Sequence, residues 1–353
     1  MNGNHTLSLP QKLNVALFGD KIRTIISILL IFIAVFAGPG LINWLLLDAT
    51  WVGTSEDCRV NGGACWAFLG VKLNLIVFGA YPTAEIWRPM VFMALLTLIA
   101  AYAYQRPRSI KQVILCLCVA FIVGLLLMRG GILGLPVVAN TRWGGLPITL
   151  IVTLAGLGAS FPLGILIMLG GASENPLFRI PCRLYVDVIR GIPAITLVFM
   201  TFAIVPLLMP QGMMIDKLLR AALGLTFLTA AYFAEALRGA LEALPKGQDE
   251  AAAALGVGYW KRQRLIILPQ VIANSMQPLA NIAIAFVKNT SLLIIIGLFD
   301  LLGAARSSLF DGDWQGYYRE LYLFVGLIYL VICLFLESYV SKLETERSGR
   351  ISR

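Results

Sequence analysis

Long apolar runs, one after another, restrict this sequence more than any other feature. Stretches at 24–47, 89–104, 112–128, 146–170, 184–209, 218–237, 271–303 and 320–340 approach or exceed the ~20 residues a helix needs to cross a hydrocarbon core. Composition agrees: 59% of the residues are hydrophobic, 13% are charged and mean hydropathy is +0.83, whereas a soluble domain carries about 25% charge. Backbone amides in lipid must bond within their own segment, so the spans are expected to be helices. The expectation is an all-α integral membrane protein with about eight transmembrane helices. The first run is too long for the apolar region of a signal peptide, and no small-residue cleavage site follows it.

Lys and Arg set the orientation. With the N-terminus in the cytoplasm, the inner segments hold Lys12, Lys21, Arg23, Arg106, Arg108, Lys111, Arg179, Arg183, Arg238, Lys246, Lys261, Arg262, Arg264, Lys342, Arg347, Arg350 and Arg353. The outer segments hold a smaller set: Arg59, Lys72, Arg88, Arg129, Arg142, Lys217, Arg220, Arg306 and Arg319. Both termini are therefore placed in the cytoplasm, in a multi-pass membrane protein. The net charge of +9 is mostly topology, and no nucleic-acid partner is expected.

Cys116, Cys118, Cys182 and Cys333 lie in or beside spans and read as small apolar residues. Cys58 and Cys65 fall in the long outer loop, about 48–88, as SEDCRVNGGACW. An oxidising compartment would allow them to bridge and staple that loop. The apolar run 66–80 is short and interrupted by Lys72 and Asn74, so it reads as interfacial, with a ninth span as the alternative. No GxxxxGK[ST] phosphate loop occurs. The single histidine, His5, removes His-based metal sites and Ser-His triads. No pair of carboxylates sits within the spans at helical spacing. A catalytic site, metal or cofactor in this chain has little to build on.

The segment DEAAAALGVGYWKRQRLIILPQ, 249–270, is polar amid this apolar chain. Pro245, Lys246 and Gly247 end the preceding helix. Asp249 and Glu250 open a new one at the positive end of its dipole, and Ala251 to Ala254 give it helix propensity with little bulk. Gly256 permits a sharp turn. A second helix from about 259 is expected to put Lys261, Arg262 and Arg264 outside and Leu265, Ile266 and Leu268 inside. Pro269 then starts the return to the membrane.

Glu250-Ala251-Ala252, then Gly256, then Ile266-Ile267-Leu268-Pro269 matches the EAA motif of the cytoplasmic coupling loop in ABC-importer permeases. The flanks AEALRGALEALPKGQDEAAAALG (234–256), ILPQ (267–270), RGIPA (190–194) and KNTSLL (288–293) resemble the polar amino-acid branch of that family. The resemblance covers roughly 142–341, a five-helix permease core. The three-span extension, 1–141, is similar to that of the larger permease of general L-amino-acid importers, and 342–353 is a cytoplasmic tail. The resemblance implies a second permease, an ABC ATPase dimer that binds the ATP, a periplasmic binding protein and an L-amino-acid substrate. It makes roughly 248–257 the coupling helix, with Glu250, Ala251, Ala252, Leu255 and Gly256 meeting the ATPase. Asn289 departs from the branch, which commonly has Asp there.

Gln270, Asn274, Gln277, Asn281 and Lys288 recur at spacings that keep one helical face. A polar stripe in a span faces protein or a water-filled cavity. The stretch 271–303 is too long for one straight span and is expected to break at Lys288-Asn289-Thr290-Ser291, where backbone dipoles can flank a transport site. Three roles are open to Lys288: meeting a substrate α-carboxylate, pairing with Asp187, or snorkelling. Arg190, where Gly191 and Pro193 loosen the helix, either lines the pathway or ties helices together. Gly156, Ser160 and Gly164 form a small-residue face for close packing, within the chain or at a permease–permease interface. Two other classes compete: an ion-coupled secondary amino-acid carrier, which would want intramembrane carboxylates, and a polytopic enzyme, which would want catalytic groups.

Overall fold

A computed structural model describes residues 17–106, 110–132, 134–210, 215–245 and 247–351, the last five as backbone only. His5, Lys12, Arg108, Lys246 and Arg353 lie outside the described residues, as do the side chains of Arg347 and Arg350. The elements are helical, with two isolated bridges, Thr50 to Cys65 and Gly145 to Asp300, among the described residues. Seven described helices are long and apolar enough to span, and an eighth span forms if one bent pair is counted as one.

The chain divides into two units. The smaller combines the N-terminal part through Val71 with Gly312–Glu320. Its first helix, α1 (Lys21–Ile42), is capped by Asp20 and continues through a wide turn, Asn43–Leu47. Apolar side chains such as Ile25, Leu29, Phe32 and Phe36 are exposed along it, as on a lipid-facing helix. Helix α2 (Ser55–Asn61) begins at a capping box in which Thr54 and Asp57 satisfy each other's backbone. Cys58 and Cys65 are joined as a disulfide.

Helix α3 (Trp66–Phe78) occupies the expected interfacial run. Its 13 residues reach about 20 Å, short of a ~30 Å core, and Ala67, Phe68, Leu69, Ile76 and Phe78 are buried, so it packs within the protein.

The larger unit holds α4 (Trp87–Gln105) and α5 (Ile110–Arg129), which pack together as a pair. Next come α6 (Gly145–Gly171), α7 (Pro176–Gly191), α8 (Ala194–Leu208) and α9 (Lys217–Glu242). Helices α6 and α9 share the most extensive contact in the chain. The small-residue face explains how closely they meet. A Cβ on Gly164 would lie 2.7 Å from Phe233 Cβ on α9, while one on Gly156 would lie 2.0 Å from the Phe286 ring of the later helix Met276–Asn289. The Ser160 hydroxyl donates to Thr226 O at 3.1 Å. The three small residues are thus spent on packing inside the chain.

One expected span needs correction, and a second is broken where its sequence anticipates. The run 184–209 is not one straight helix: α7 and α8 meet at 109° across Ile192 and Pro193. Proline lacks an N–H and restricts the residue before it, so the helix ends there. Along α7, Arg179, Arg183, Asp187 and Arg190 alternate with exposed Leu177, Ile180, Leu184 and Val188, which makes it amphipathic.

The run 271–303 is also several pieces: α12 (Leu268–Asn274), α13 (Met276–Asn289), a 3-10 stretch Thr290–Ile296 and α14 (Leu301–Ser307). The break falls at the expected Asn289–Thr290. Before these lie α10 (Gly247–Ala254) and α11 (Tyr259–Arg262), and the chain ends in α15 (Tyr318–Ile351). One core joins Phe92, Met128, Trp143, Ile148, Val198, Leu225, Phe286 and Leu293, and another joins Met168, Val186, Leu237, Ile267 and Val271.

Candidate functional site

Helix α10 carries Asp249 and Glu250 in its first turn, where their charge opposes the helix dipole. Its end is set by one glycine. Gly256 adopts φ +75°, its N–H donates to Ala253 O at 2.9 Å, and the Val257 N–H donates to Ala252 O at 3.1 Å. This is the Schellman arrangement, in which a left-handed residue closes the last turn. Ala252 is buried against the protein, while Glu250, Ala251, Ala253, Ala254 and Leu255 are exposed.

The helix is held in place from two sides. Arg262 donates to Asp249 O at 3.2 Å and pairs with its carboxylate at 3.4 Å. Gln270 Nε2 donates to Gln248 Oε1 at 2.6 Å. Burial, and then the Asp249 carboxylate, push the Tyr259 hydroxyl up from its ordinary pKa.

The expected faces of the second helix hold in part: Lys261 and Arg264 are exposed and Ile266 and Leu268 pack against a core, but Arg262 is half-buried and Leu265 faces outward. Leu265 is 69% exposed, while Gln263 and Ile267 are buried. A π-helical turn at Gln263–Ile267 is the cause, because its wider i→i+5 step advances the register relative to an α-helix. Leu255 (83% exposed), Trp260 (70%) and Leu265 thus form an uncovered apolar set beside the alanines.

Arg190 pairs with Glu235 on α9 at 3.2 Å, and its guanidinium lies over the Tyr232 ring. Glu235 also pairs with Arg238 at 2.8 Å, and Arg238 bonds Glu242. Arg190 therefore ties α7 to α9 just before the bend. Beside this network, a cavity of about 220 Å³ is lined by Arg183, Asp187, Glu235 and Arg238.

The polar stripe divides. Gln270 is tied to Gln248, and Gln277 donates to Glu344 at 2.8 Å. Asn281 and Lys288 are exposed, and Lys288 makes no ion pair with Asp187 or any other carboxylate among the described residues. Asn289 is half-buried where α13 ends, and the Ser291 hydroxyl folds back to Lys288 O at 2.8 Å. Thr290 faces the other way: it is fully buried and donates to Val287 O. The structure therefore brings Asn281 and Lys288 to one exposed face but leaves Thr290 out of it.

Thr290 belongs instead to a buried cluster that sequence reasoning missed. Asp300 caps α14 by accepting from the Gly303 N–H at 2.9 Å and accepts the Tyr329 hydroxyl at 2.9 Å. Thr149 accepts from the Leu301 N–H at 3.0 Å, and the Gly145 N–H donates to Phe299 O. The cluster fastens the start of α6, the stretch before α14 and α15 to one another. Asp300 three residues before Gly303 is the local capping signal; its distant partners leave none.

Comparison with known proteins agrees with this arrangement. Residues 160–347 match the family model described as "Binding-protein-dependent transport system inner membrane component". The chain is 39% identical over 308 residues to the inner membrane amino-acid ABC transporter permease protein YhdY of Escherichia coli (strain K12), covering 87% of this chain and 84% of that one. It is 30% identical to the glutamate/glutamine/aspartate/asparagine transport system permease protein BztC of Rhodobacter capsulatus, covering 93% and 91%. A solved structure, "Crystal structure of an amino acid ABC transporter with histidines", superposes with a TM-score of 0.50 at 28% identity, over 57% of this chain and 92% of that chain. With an all-helical fold and the family match spanning α10 and its Gly256 turn, this chain belongs to the binding-protein-dependent inner membrane components, the permease family of ABC importers.

Proposed function

We propose that the chain conducts L-amino acids, polar, acidic or broad in range, into the cell as one permease of a heteromeric ABC importer. The names of its relatives support the substrate class. A separate ATPase dimer binds the ATP, a periplasmic binding protein delivers the substrate, and a second permease completes the membrane channel. Residues 142–341 serve as the permease core, with 1–141 as an extension. Both termini face the cytoplasm, supported by the Lys and Arg excess on that side and by the disulfide on the other.

The observation that carries this reading is the segment after α9. A short helix braced by Arg262 and Gln270 presents Glu250, Ala251 and the exposed Leu255 at a left-handed glycine. Apolar side chains this uncovered, outside the apolar spans, call for a protein partner. The ATPase would receive Glu250 through Gly256 and feel its own closure transmitted through that brace. Lys288, exposed beside the helix break and without a counter-ion among the described residues, would take the α-carboxylate that all amino acids share, with Asn281, Asn289 and Ser291 along the same path.

The test is reconstitution. Permease pair, ATPase and binding protein in proteoliposomes should accumulate labelled L-amino acids only with ATP inside, and competition across the amino acids should define the range. Uptake driven by an ion gradient without the ATPase would replace this reading with a secondary carrier.

A further inference from the structure

The smaller unit contains a cavity of about 330 Å³ that the coupling and pathway residues leave unused. It is lined by Trp44, Arg59, Gln315, Tyr317, Arg319 and Glu320, with the Cys58 side of the disulfide in its wall. We propose that this cavity binds a free α-amino acid as its zwitterion, at a site separate from the translocation path.

The charges argue it. Glu320 is 4% exposed, and one of its oxygens accepts the Cys65 N–H at 3.0 Å. No ion pair reaches its carboxylate among the described residues, although two arginines line the same cavity. Arg319 lies over the Trp44 ring at 5.8 Å. Arg59 reaches Asp313 O in a long bond of 3.5 Å. A buried carboxylate without a counter-ion is costly, so Glu320 calls for a cation, while the guanidinium forks present donors suited to a carboxylate. Glu320 repels a simple anion, and the arginines repel a simple cation. A ligand with an ammonium and a carboxylate on one carbon satisfies both. The volume suits a small molecule.

The cavity is also built rather than incidental. The disulfide closes the loop, the Ala64 N–H donates to Trp44 O at 2.7 Å, and the Tyr317 hydroxyl donates to Ser55 O at 3.1 Å. At Gly63 a Cβ would lie 2.0 Å from Asp48 O, so only glycine lets the wall close.

The full chain in lipid nanodiscs, without ATPase or binding protein, tests the site with tritiated L-glutamine. The expectation is saturable binding, displaced by unlabelled L-glutamine but not by N-acetyl-L-glutamine or L-glutaminamide, each of which lacks one charge. Arg59→Ala, Arg319→Ala and Glu320→Gln should each weaken it about tenfold or more, the loss expected for one charge-assisted bond. Glu320→Gln keeps the acceptor for Cys65, and both arginines are exposed, so an intact disulfide by mass spectrometry and unchanged thermal unfolding would certify the fold. Absence of saturable binding overturns the proposal. So does binding that these variants spare and Lys288→Met removes, which would locate it in the translocation path. Binding of the periplasmic protein that is lost in the variants, with no binding of free L-glutamine, overturns it in favour of a protein-docking pocket. Since no ATPase is present, failure here leaves the importer reading standing.

Discussion

Replacing Gly256 should separate ATP hydrolysis from uptake, and the size of the effect can be worked from the turn. Its φ of +75° is a left-handed conformation, which costs an ordinary L-residue about 1–2 kcal/mol. No atom lies within 4 Å of a Cβ placed there, so the cost is backbone strain alone and a clash adds nothing. Gly256→Asn should cost a few tenths of a kcal/mol, because Asn tolerates this region, Gly256→Ala about 1 and Gly256→Val about 2 or more. At 1.4 kcal/mol per decade, 2 kcal/mol depopulates the closed turn roughly thirtyfold. The two bonds it holds, Gly256 to Ala253 and Val257 to Ala252, end an α10 of only 8 residues, so little else keeps that end wound. Gly258 supplies the control: it also has nothing within 4 Å, but its φ is −62°, and Gly258→Ala should be neutral. The assay is ATPase rate and uptake in the same proteoliposomes. Uptake per ATP should fall in the order Asn, Ala, Val, with insertion and ATP turnover retained. Full uptake in Gly256→Val, or equal loss in Gly258→Ala, would refute the argument that this left-handed turn transmits closure.

Single cysteines at Gln248, Thr345 and Gln315, in a background lacking Cys116, Cys118, Cys182 and Cys333, should divide by side: the first two reacting with an impermeant maleimide from the cytoplasm and the third from outside. Labelling of 248 from outside would put α10 beyond the ATPase's reach. Lys288→Met should leave thermal stability unchanged, because the ammonium has no counter-ion among the described residues, and should weaken uptake of all transported amino acids about equally; normal uptake would remove Lys288 from the path. Arg88 is wholly buried with Glu85 as its ion-pair partner at 2.7 Å, so Glu85→Gln should cost about 3 kcal/mol in unfolding measurements. Adding Arg88→Met should recover most of that loss, and additive losses would show that the two side chains act separately.

The helices were legible because each carries its own signal. Hydropathy marked α1, α4, α5, α6, α9 and α15, and Gly256 stood where a short alanine helix needed a left-handed stop. What was not legible depends on partners far along the chain or on a single residue of register. The Arg190–Glu235 pair joins residues on different helices, and Asp300 meets Tyr329 and the neighbourhood of Thr149, so neither leaves a local pattern. The π turn at Gln263–Ile267 has no compositional mark, yet it turned Leu265 outward and Ile267 inward. The 109° bend was half visible in Gly191 and Pro193, but a hydropathy window joined the last turns of amphipathic α7 to apolar α8.

The polar stripe gained meaning only once its partners were visible. By spacing alone, Gln270, Asn274, Gln277, Asn281 and Lys288 are equivalent members of one face. In the fold, two members nearer the coupling helix are engaged, Gln270 with Gln248 and Gln277 with Glu344 on α15, while Asn274 between them is exposed. Those bonds link α12 and α13 to α10 and to the C-terminal helix, which is mechanical work suited to the end that would receive the ATPase's motion. Further along, Asn281 and Lys288 have no side-chain partner among the described residues. An ammonium at membrane depth costs at least ~2.5–3.5 kcal/mol on insertion scales, so the charge on Lys288 calls for something to offset it. Among the described residues no carboxylate pairs with it. A carboxylate passing through the channel has the charge, and the helix break at Asn289–Thr290 places backbone dipoles beside it.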